Sequence, residues 1–261
     1  MRLVHLVVGF ALVLGAGTAW PYDIDSHRAI AQQAVELSSV DSVLKATLGL
    51  SQGVDTLFEG KPAADWMRDG AGFEDQPFPR VLRHFHNPTR QWEQAGLTIL
   101  GVQVGQSSVL WQQNRQQDQT VLAGTDGSWA WPNARDYYLQ ALISPVKDDR
   151  DTSFAKLFRS LGQVMHLVQD ATVPAHVRND PHPPLVNPDW YEDWVHEARL
   201  EDLAKFQMLL TGAPVVPAGS IFAATGNAQA PAPVARLIDT SHFQLGQDLD
   251  ALYLADLGVS E

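Results

Sequence analysis

Residues 161–176 read LGQVMHLVQDATVPAH and contain three side chains of the kinds that bind metal ions. His166 and Asp170 are four residues apart, so a helix through this stretch places both side chains on one face. Pro174 disfavours helical backbone before it, which predicts that the helix stops and that His176 enters from the following loop. A single His-x-x-x-Asp pair is more often a solvated hydrogen bond than a metal site. The rest of the chain has to decide between these interpretations.

The composition excludes several kinds of chemistry. The 261 residues suit one domain with a removable leader and are enough to bury a large core. There is no cysteine, which excludes disulfides, thiolate catalysis and cysteine zinc sites. The formal net charge of −12 argues against a general electrostatic grip on nucleic-acid phosphates or anionic membranes. This negative charge is compatible with bound cations.

The first 19 residues have the features of a secretory signal peptide. Arg2 supplies the positive start, an apolar run covers 3–14, and residues 17–19, Gly-Thr-Ala, form a small-residue cleavage site. The apolar run is too short to span a bilayer comfortably, although a retained N-terminal anchor is the alternative. The sequence therefore predicts a secreted or periplasmic protein with a signal peptide at 1–19 and a free amine at Trp20.

Helical periodicity runs through most of the remaining chain, and no stretch shows a strand alternation that outcompetes it. Helices are predicted at 26–37, 40–48, 63–68, 152–169, from 187 through 203, and at 239–254. Ser26 and Asn187 are the expected N-caps of two of them. Residues 211–233 are expected to form an extended connection. The sequence therefore predicts an all-α fold, with a single multi-helix domain over 20–261 that we expect to be a monomer.

Further candidate ligands lie between the early helices. Asp69 and Asp75 bound a glycine-rich segment that is typical of a turn, and His84 and His86 follow Asp75 by nine and eleven residues. Carboxylates and histidines at these spacings can converge on one ion. As isolated features they are typical of turns and surfaces.

Two candidate ligands lie near predicted helix starts. His27 lies seven residues after Trp20, whose amine can bind a metal once it has lost its proton. Glu192 lies in the first turn of a predicted helix, where the helix dipole favours a carboxylate in any case. Neither residue indicates a metal site by itself.

Eight histidines remain after the leader is removed, and most of them lie beside a carboxylate at a helix start or in a turn. They are His27, His84, His86, His166, His176, His182, His196 and His242. Without thiolates, zinc is bound by imidazole nitrogen and carboxylate oxygen, and a catalytic zinc keeps one position open for water. Several such sites in one cleft would suit phosphoester hydrolysis.

The order of these motifs resembles the zinc-dependent phospholipase C family, whose superfamily includes fungal single-strand-specific nucleases. After the processed tryptophan and an early histidine come G-x-x-x-x-D ending at Asp75, H-F-x-x-P beginning at His84, H-x-x-x-D-x-x-x-P-x-H at 166–176, and an aromatic-Glu pair at 191–192. The resemblance covers roughly two thirds of the chain, from Trp20 to about residue 195. It implies an all-helical fold of the phospholipase C and nuclease type with three bound zinc ions.

The resemblance also implies a ligand set for each ion. The implied ligands are Asp75, His84, His166 and Asp170 for the first, Trp20, His27 and Asp170 for the second, and His176, a further histidine and Glu192 for the third. Asp170 would therefore bridge two ions. The register of the family motifs favours Asp75 over Asp69 and His84 over His86.

The third ligand set departs from the family pattern. The family places a histidine four residues before the glutamate, where this chain has Pro188. We expect His182, six residues after His176 in a loop that folds back, to replace it. His196, one turn after Glu192 on the same helical face, is the alternative.

A secreted zinc phosphodiesterase is the function that the resemblance implies. Asp170, as the bridge, and Asp75, which would also orient or deprotonate the attacking water, are the expected catalytic residues. A phospholipid substrate with transient membrane-surface contact is favoured, because nucleases of the group typically use disulfides and this chain has no cysteine. A single-strand nuclease or 3′-nucleotidase is the alternative. A non-catalytic, zinc-stabilised helical binding protein, in which the ligands close every coordination position, is the rival from another class.

Overall fold

The computed structural model describes residues 24–120, 127–182 and 189–212, which are mostly helical, consistent with the expected all-α fold. The helices are α1 (Ile24–Leu37), α2 (Val40–Leu48), α3 (Ala63–Phe73), α4 (Ser108–Trp111), α5 (Gln117–Thr120), α6 (Trp131–Ile143), α7 (Lys147–Asp170), α8 (Pro174–Arg178), α9 (Trp190–Glu201) and α10 (Leu203–Gly212). Two antiparallel hairpins interrupt them. They pair β1 (Leu57–Phe58) with β2 (Lys61–Pro62), and β3 (Thr98–Ile99) with β4 (Val102–Gln103).

Helix α7 is the central element of the described fold and packs mainly against α3 and α6. Its apolar face joins the main core, where the ring of Phe58 lies 4.7 Å from that of Phe154 and 5.6 Å from that of Phe158. Burial of each such side chain stabilises the fold by about 1.5–3 kcal/mol. The core therefore fixes α7 relative to its neighbours, and with it the ligand side chains that α7 carries.

Helices α3 and α7 approach each other with their backbones in contact. A Cβ added to Gly70 would lie 2.4 Å from the carbonyl oxygen of Arg159, and one added to Gly162 would lie 2.1 Å from that of Met67. No side chain larger than hydrogen fits at either position without movement of the helices. The two glycines therefore set the spacing between α3 and α7.

The glycine-rich segment after Asp69 is helical rather than a turn, because α3 continues to Phe73. Helix α1 begins at Ile24, so Ser26 lies inside the helix and is not its N-cap. Helix α7 starts at Lys147, five residues before the predicted start, and ends at Asp170. Burial of Ser26 and close packing along α3 outweigh the local cap and turn signals.

Pro174 begins a helix, whereas the sequence predicted that it would only end one. Helix α7 has already ended when Pro174 occupies the first position of α8, where the missing amide hydrogen is tolerated. His176 consequently lies on a short helix and not in a loop. The cap of α9 is Asp189, whose carboxylate accepts hydrogen bonds from the backbone N–H groups of Tyr191 and Glu192.

Several predicted features lie outside the described residues. They are the signal peptide at 1–19, Trp20, Asn187, Pro188 and the helix at 239–254. Of the predicted extended connection at 211–233, residues 211 and 212 belong to α10. In the described segments, none of the helices has the length and apolar character needed to cross a membrane.

Candidate metal centre

Four buried candidate ligands meet where the end of α7 lies beside the segment that follows α3. His166 and Asp170 come from α7, and Asp75 and His84 come from that segment. Oδ2 of Asp170 is 2.9 Å from Nδ1 of His84 and 3.0 Å from Nε2 of His166. Oδ1 of Asp75 is 3.6 Å from each of these nitrogens, which are 3.2 Å apart. The structure therefore brings together the four side chains of the first implied ligand set.

These five separations, 2.9–3.6 Å, are close to those between ligand atoms around a metal ion. Ligand atoms about 2.1 Å from a zinc ion are about 3.4 Å apart at the tetrahedral angle. In the described part of the chain, no group donates a hydrogen bond to either oxygen of Asp75, and neither Asp75 nor Asp170 pairs with a lysine or arginine. Buried carboxylates need a compensating charge. The cluster therefore has the composition and spacing of a cation site.

His27 approaches the other oxygen of Asp170 from α1. Its Nε2 is 3.5 Å from Oδ1 of Asp170, and its ring stacks on the ring of His166 with the centroids 3.6 Å apart. One ligand atom each from His27, Asp75 and His166 also lie within 4.8 Å of one another. Asp170 thus directs its two oxygens to different histidines, as a bridging carboxylate would. Trp20, the remaining implied ligand here, lies outside the described residues.

A separate cluster brings α8 and α9 together. Oε1 of Glu192 is 3.5 Å from Nε2 of His176, and Oε2 is 3.6 Å from Nε2 of His182. Nδ1 of His176 is 3.4 Å from Oδ1 of Asp170, so His176 lies between this cluster and the first one. The metal-compatible group formed here contains His182, as expected in preference to His196.

Hydrogen bonds at the far side of three histidines direct Nε2 toward the carboxylates. Nδ1 of His166 donates to the carbonyl oxygen of Ala71 at 2.6 Å, and Nδ1 of His182 donates to that of Asp180 at 2.9 Å. A carbonyl oxygen can only accept, so each ring carries a proton on Nδ1, and in its neutral form the lone pair is on Nε2. Nδ1 of His27 lies 2.6 Å from Oε1 of Gln169. Such contacts commonly orient metal-binding histidines.

Burial and neighbouring charges shift the pKa values of Asp75 and Asp170 in opposite directions. Burial raises the pKa of Asp75 to about 6, against the opposing effect of His166 and His84. Burial acts in the same direction on Asp170, but His166, His176 and His84 together hold its pKa well below the usual range. Asp170 is consequently the more firmly ionised of the two carboxylates.

The buried histidines differ in protonation for a similar reason. Burial lowers the pKa of His27 well below its ordinary value and that of His176 to about 3. Burial also opposes protonation of His166, but Asp170 and Asp75 outweigh it and raise its pKa to about 10. With no bound ion, His166 therefore carries the proton that balances the carboxylates, and a metal ion would displace it.

A buried ion pair that the sequence did not reveal supports the segment carrying Asp75. Nη2 of Arg80 donates to Oε2 of Glu74 at 2.6 Å and to Oε1 of Gln163 at 3.0 Å. The other Glu74 oxygen accepts a hydrogen bond from Nε1 of Trp111 at 2.7 Å. Glu74 directly precedes Asp75, and Gln163 is one turn from His166. An arginine six residues from a glutamate gives no sequence signal of its own.

Asp69 and His86, which the register of the family motifs disfavours as ligands, have other contacts. Asp69 pairs with Lys61 at 2.9 Å and with Arg68 at 3.2 Å, which lowers its pKa despite the opposing effect of burial. Nδ1 of His86 lies 2.9 Å from the hydroxyl oxygen of Ser107. Neither residue belongs to a metal-compatible group among the described residues.

Comparison of the chain with protein-family models, curated proteins and solved structures found no match. The family resemblance therefore rests on the order and spacing of the motifs. The protein is mostly helical in its described residues and has buried clusters of histidine, aspartate and glutamate that could bind metal ions.

Proposed function

We propose that this chain is a zinc-dependent phosphodiester hydrolase of the phospholipase C and nuclease type. The observation that carries the proposal is the convergence of His84, His166, Asp75 and Asp170, with imidazole–carboxylate separations of 2.9–3.6 Å, next to His27. Nitrogen and oxygen ligands in this arrangement suit zinc. The order of the sequence motifs supports the same class of enzyme.

The ligand residues have distinct roles in this proposal. Bound zinc supplies Lewis acidity, which makes water a nucleophile near neutral pH and offsets negative charge on a phosphoester. Asp170 links the metal position at His166 to the one at His27, because each of its oxygens faces a different histidine. Asp75 can accept a proton or orient a water, because no described group donates a hydrogen bond to its oxygens.

The cluster of His176, His182 and Glu192 is compatible with a catalytic zinc site. Structural zinc sites usually have four protein ligands, whereas catalytic sites have three and leave a position for water or substrate. The described residues supply three ligands to this cluster. Substrate tests then distinguish the enzyme from the zinc-stabilised binding protein.

Exposed aromatic side chains near this cluster favour a phospholipid as substrate. Trp190 is 79% exposed and Trp194 is 60% exposed, and both lie on α9, the helix that carries Glu192. Tryptophan is well suited to the boundary between water and lipid because it combines a large apolar ring with an N–H group. The charge of −12 disfavours a polyanionic nucleic acid.

Metal analysis and substrate tests on the processed protein examine this proposal. We expect more than one zinc per chain and release of phosphorylated headgroup from phosphatidylcholine vesicles. A soluble bis-aryl phosphodiester and single-stranded DNA, assayed in parallel, distinguish a general phosphodiesterase from a nuclease. Zinc binding without hydrolysis of any substrate would support the binding protein, and absence of zinc would contradict both functions.

Replacement of His84 with Ala should abolish hydrolysis, because it removes one of four clustered ligands. His86→Ala is the matched control, since His86 is two residues away and Nδ1 of its ring lies 2.9 Å from the hydroxyl oxygen of Ser107. Equal loss of activity in the two variants would argue against the metal centre.

A further inference from the structure

Gln169 lies against His27, beside the first candidate cluster, and has no role in the ligand sets described above. It directly precedes Asp170 at the end of α7, and its side chain is 9% exposed. Its Oε1 is 2.6 Å from Nδ1 of His27, which is fully buried. The contact joins residues 142 positions apart in the sequence.

We propose that Gln169 is a positioning residue that fixes the tautomer of His27. Its amide oxygen accepts a hydrogen bond from the Nδ1–H group, which leaves a lone pair on Nε2, the nitrogen that faces Oδ1 of Asp170. The role rests on the proposed metal centre, because this tautomer is the one that can bind a metal through Nε2.

The opposite tautomer would also be satisfied in the absence of metal. With the proton on Nε2, His27 would donate toward Asp170 and could not bind a metal through that atom. A hydrogen-bond acceptor at Nδ1 is therefore needed to select the metal-binding form. His166 and His182 have the same arrangement, with backbone carbonyl oxygens as the acceptors.

The surroundings hold both partners of this hydrogen bond in place. The carbonyl oxygen of Gln169 accepts hydrogen bonds from the backbone N–H of Thr172 at 2.9 Å and from its hydroxyl at 2.6 Å. The ring of His27 stacks on that of His166 at an interplanar angle of 20°. Stacking restrains the plane of the ring, while Gln169 determines which nitrogen carries the proton.

A neutral acceptor suits this position better than a carboxylate in one respect. Asp75 and Asp170 already place two acidic groups around His27 and His166. The amide oxygen accepts the hydrogen bond from Nδ1–H without adding a third negative charge to the buried cluster. Glutamate at this position would preserve the acceptor, whereas leucine would remove it at similar size.

The test compares Gln169→Leu and Gln169→Glu with the unchanged protein, all processed to Trp20. We expect Gln169→Leu to bind the zinc on the His27 side about 10–100-fold more weakly, so that one fewer zinc per chain survives competition with a chelator. Gln169→Glu should retain the full number. Gln33→Leu is the matched control, because Gln33 is also buried and lies on α1, but donates to Glu36.

Nitrogen chemical shifts of the His27 ring provide a measurement that needs no Gln169 variant. Nuclear magnetic resonance of the unchanged, zinc-loaded protein should show a proton on Nδ1 and none on Nε2, with the signals assigned by their absence in His27→Ala. A proton on Nε2 would overturn the proposal even if Gln169→Leu failed to fold. Full zinc binding by a folded Gln169→Leu would overturn it as well.

The positioning role and the enzymatic function can fail separately. Zinc binding that depends on Gln169, in a protein that hydrolyses no phosphodiester, would support the positioning role and contradict the function. Hydrolysis with a zinc count unaffected by Gln169→Leu would do the reverse. Absence of zinc from the unchanged protein would contradict both.

Discussion

Nε2 of His166 lies 3.0 Å from Oδ2 of Asp170, one helical turn further along α7. This separation is ordinary for a histidine and a carboxylate at i and i+4 of a helix. Its environment is unusual, because both side chains are fully buried and two ligands from another segment, Asp75 and His84, share the space. A spacing that is common on helix surfaces here lies at the centre of a buried cluster of histidines and carboxylates.

Replacing Asp170 with Asn should remove most of the hydrolytic activity, by about 100-fold or more. The carboxylate faces His84 and His166 with one oxygen and His27 with the other, so the neutral amide weakens both metal positions together. Steady-state kinetics on a soluble phosphodiester and a zinc count measure the change. Asp136→Asn is the control, because Asp136 is exposed and pairs with Arg115. Unchanged turnover in Asp170→Asn would refute the bridge.

One added residue before Trp20 should impair the metal position on the His27 side. An amine held in a peptide bond has no lone pair to donate, so the extended protein should lose about one zinc per chain and most of its activity. Protein with Trp20 as its first residue, produced by the same route, is the reference. Full activity and an equal zinc count in the extended protein would exclude the amine as a ligand.

Gly162→Ala should destabilise the protein by about 1–3 kcal/mol, although alanine is the better helix former. The added methyl group would lie 2.1 Å from the carbonyl oxygen of Met67, so α3 and α7 must separate. Urea unfolding of the metal-free protein measures the effect. Ser153→Ala, in the same helix, should change stability by less than about 0.5 kcal/mol. Equal stability of the two variants would contradict the close packing.

Arg80→Met should destabilise the protein by about 3–5 kcal/mol, because it leaves the buried Glu74 carboxylate without its cation. Arg80→Met combined with Glu74→Gln should be less destabilised than the sum of the single changes, since both partners are then neutral. A double-mutant cycle by urea unfolding gives the coupling. Strict additivity would mean that the pair contributes nothing as a pair.

The sequence predicted the parts of the structure that depend on local spacing. It gave the helix at Val40–Leu48 with its observed bounds, and the periodicity of α7 placed His166 and Asp170 on one face. It also favoured His182 over His196, and the geometry groups His182 with Glu192. These are properties of short stretches and of their order along the chain.

Features that depend on contacts between distant segments could not be predicted in the same way. The glycine-rich segment after Asp69 predicted a turn, whereas Gly70, together with Gly162, permits the backbones of α3 and α7 to meet. The hydrogen bond from His27 to Gln169 joins two helices whose packing has no local signature. Burial of Ser26 similarly removed it from the capping position that its residue type favours.

The acceptor for Nδ1 of His166 is the backbone oxygen of Ala71, whereas that for His27 is the side chain of Gln169. Every amino acid at position 71 supplies a carbonyl oxygen, so point mutation there cannot delete the acceptor itself. At position 169 a single codon change can remove it. The two histidines therefore differ in how evolution can change them. Substitution at position 71 leaves the acceptor for His166 in place, whereas a single substitution at position 169 can weaken or remove the one for His27.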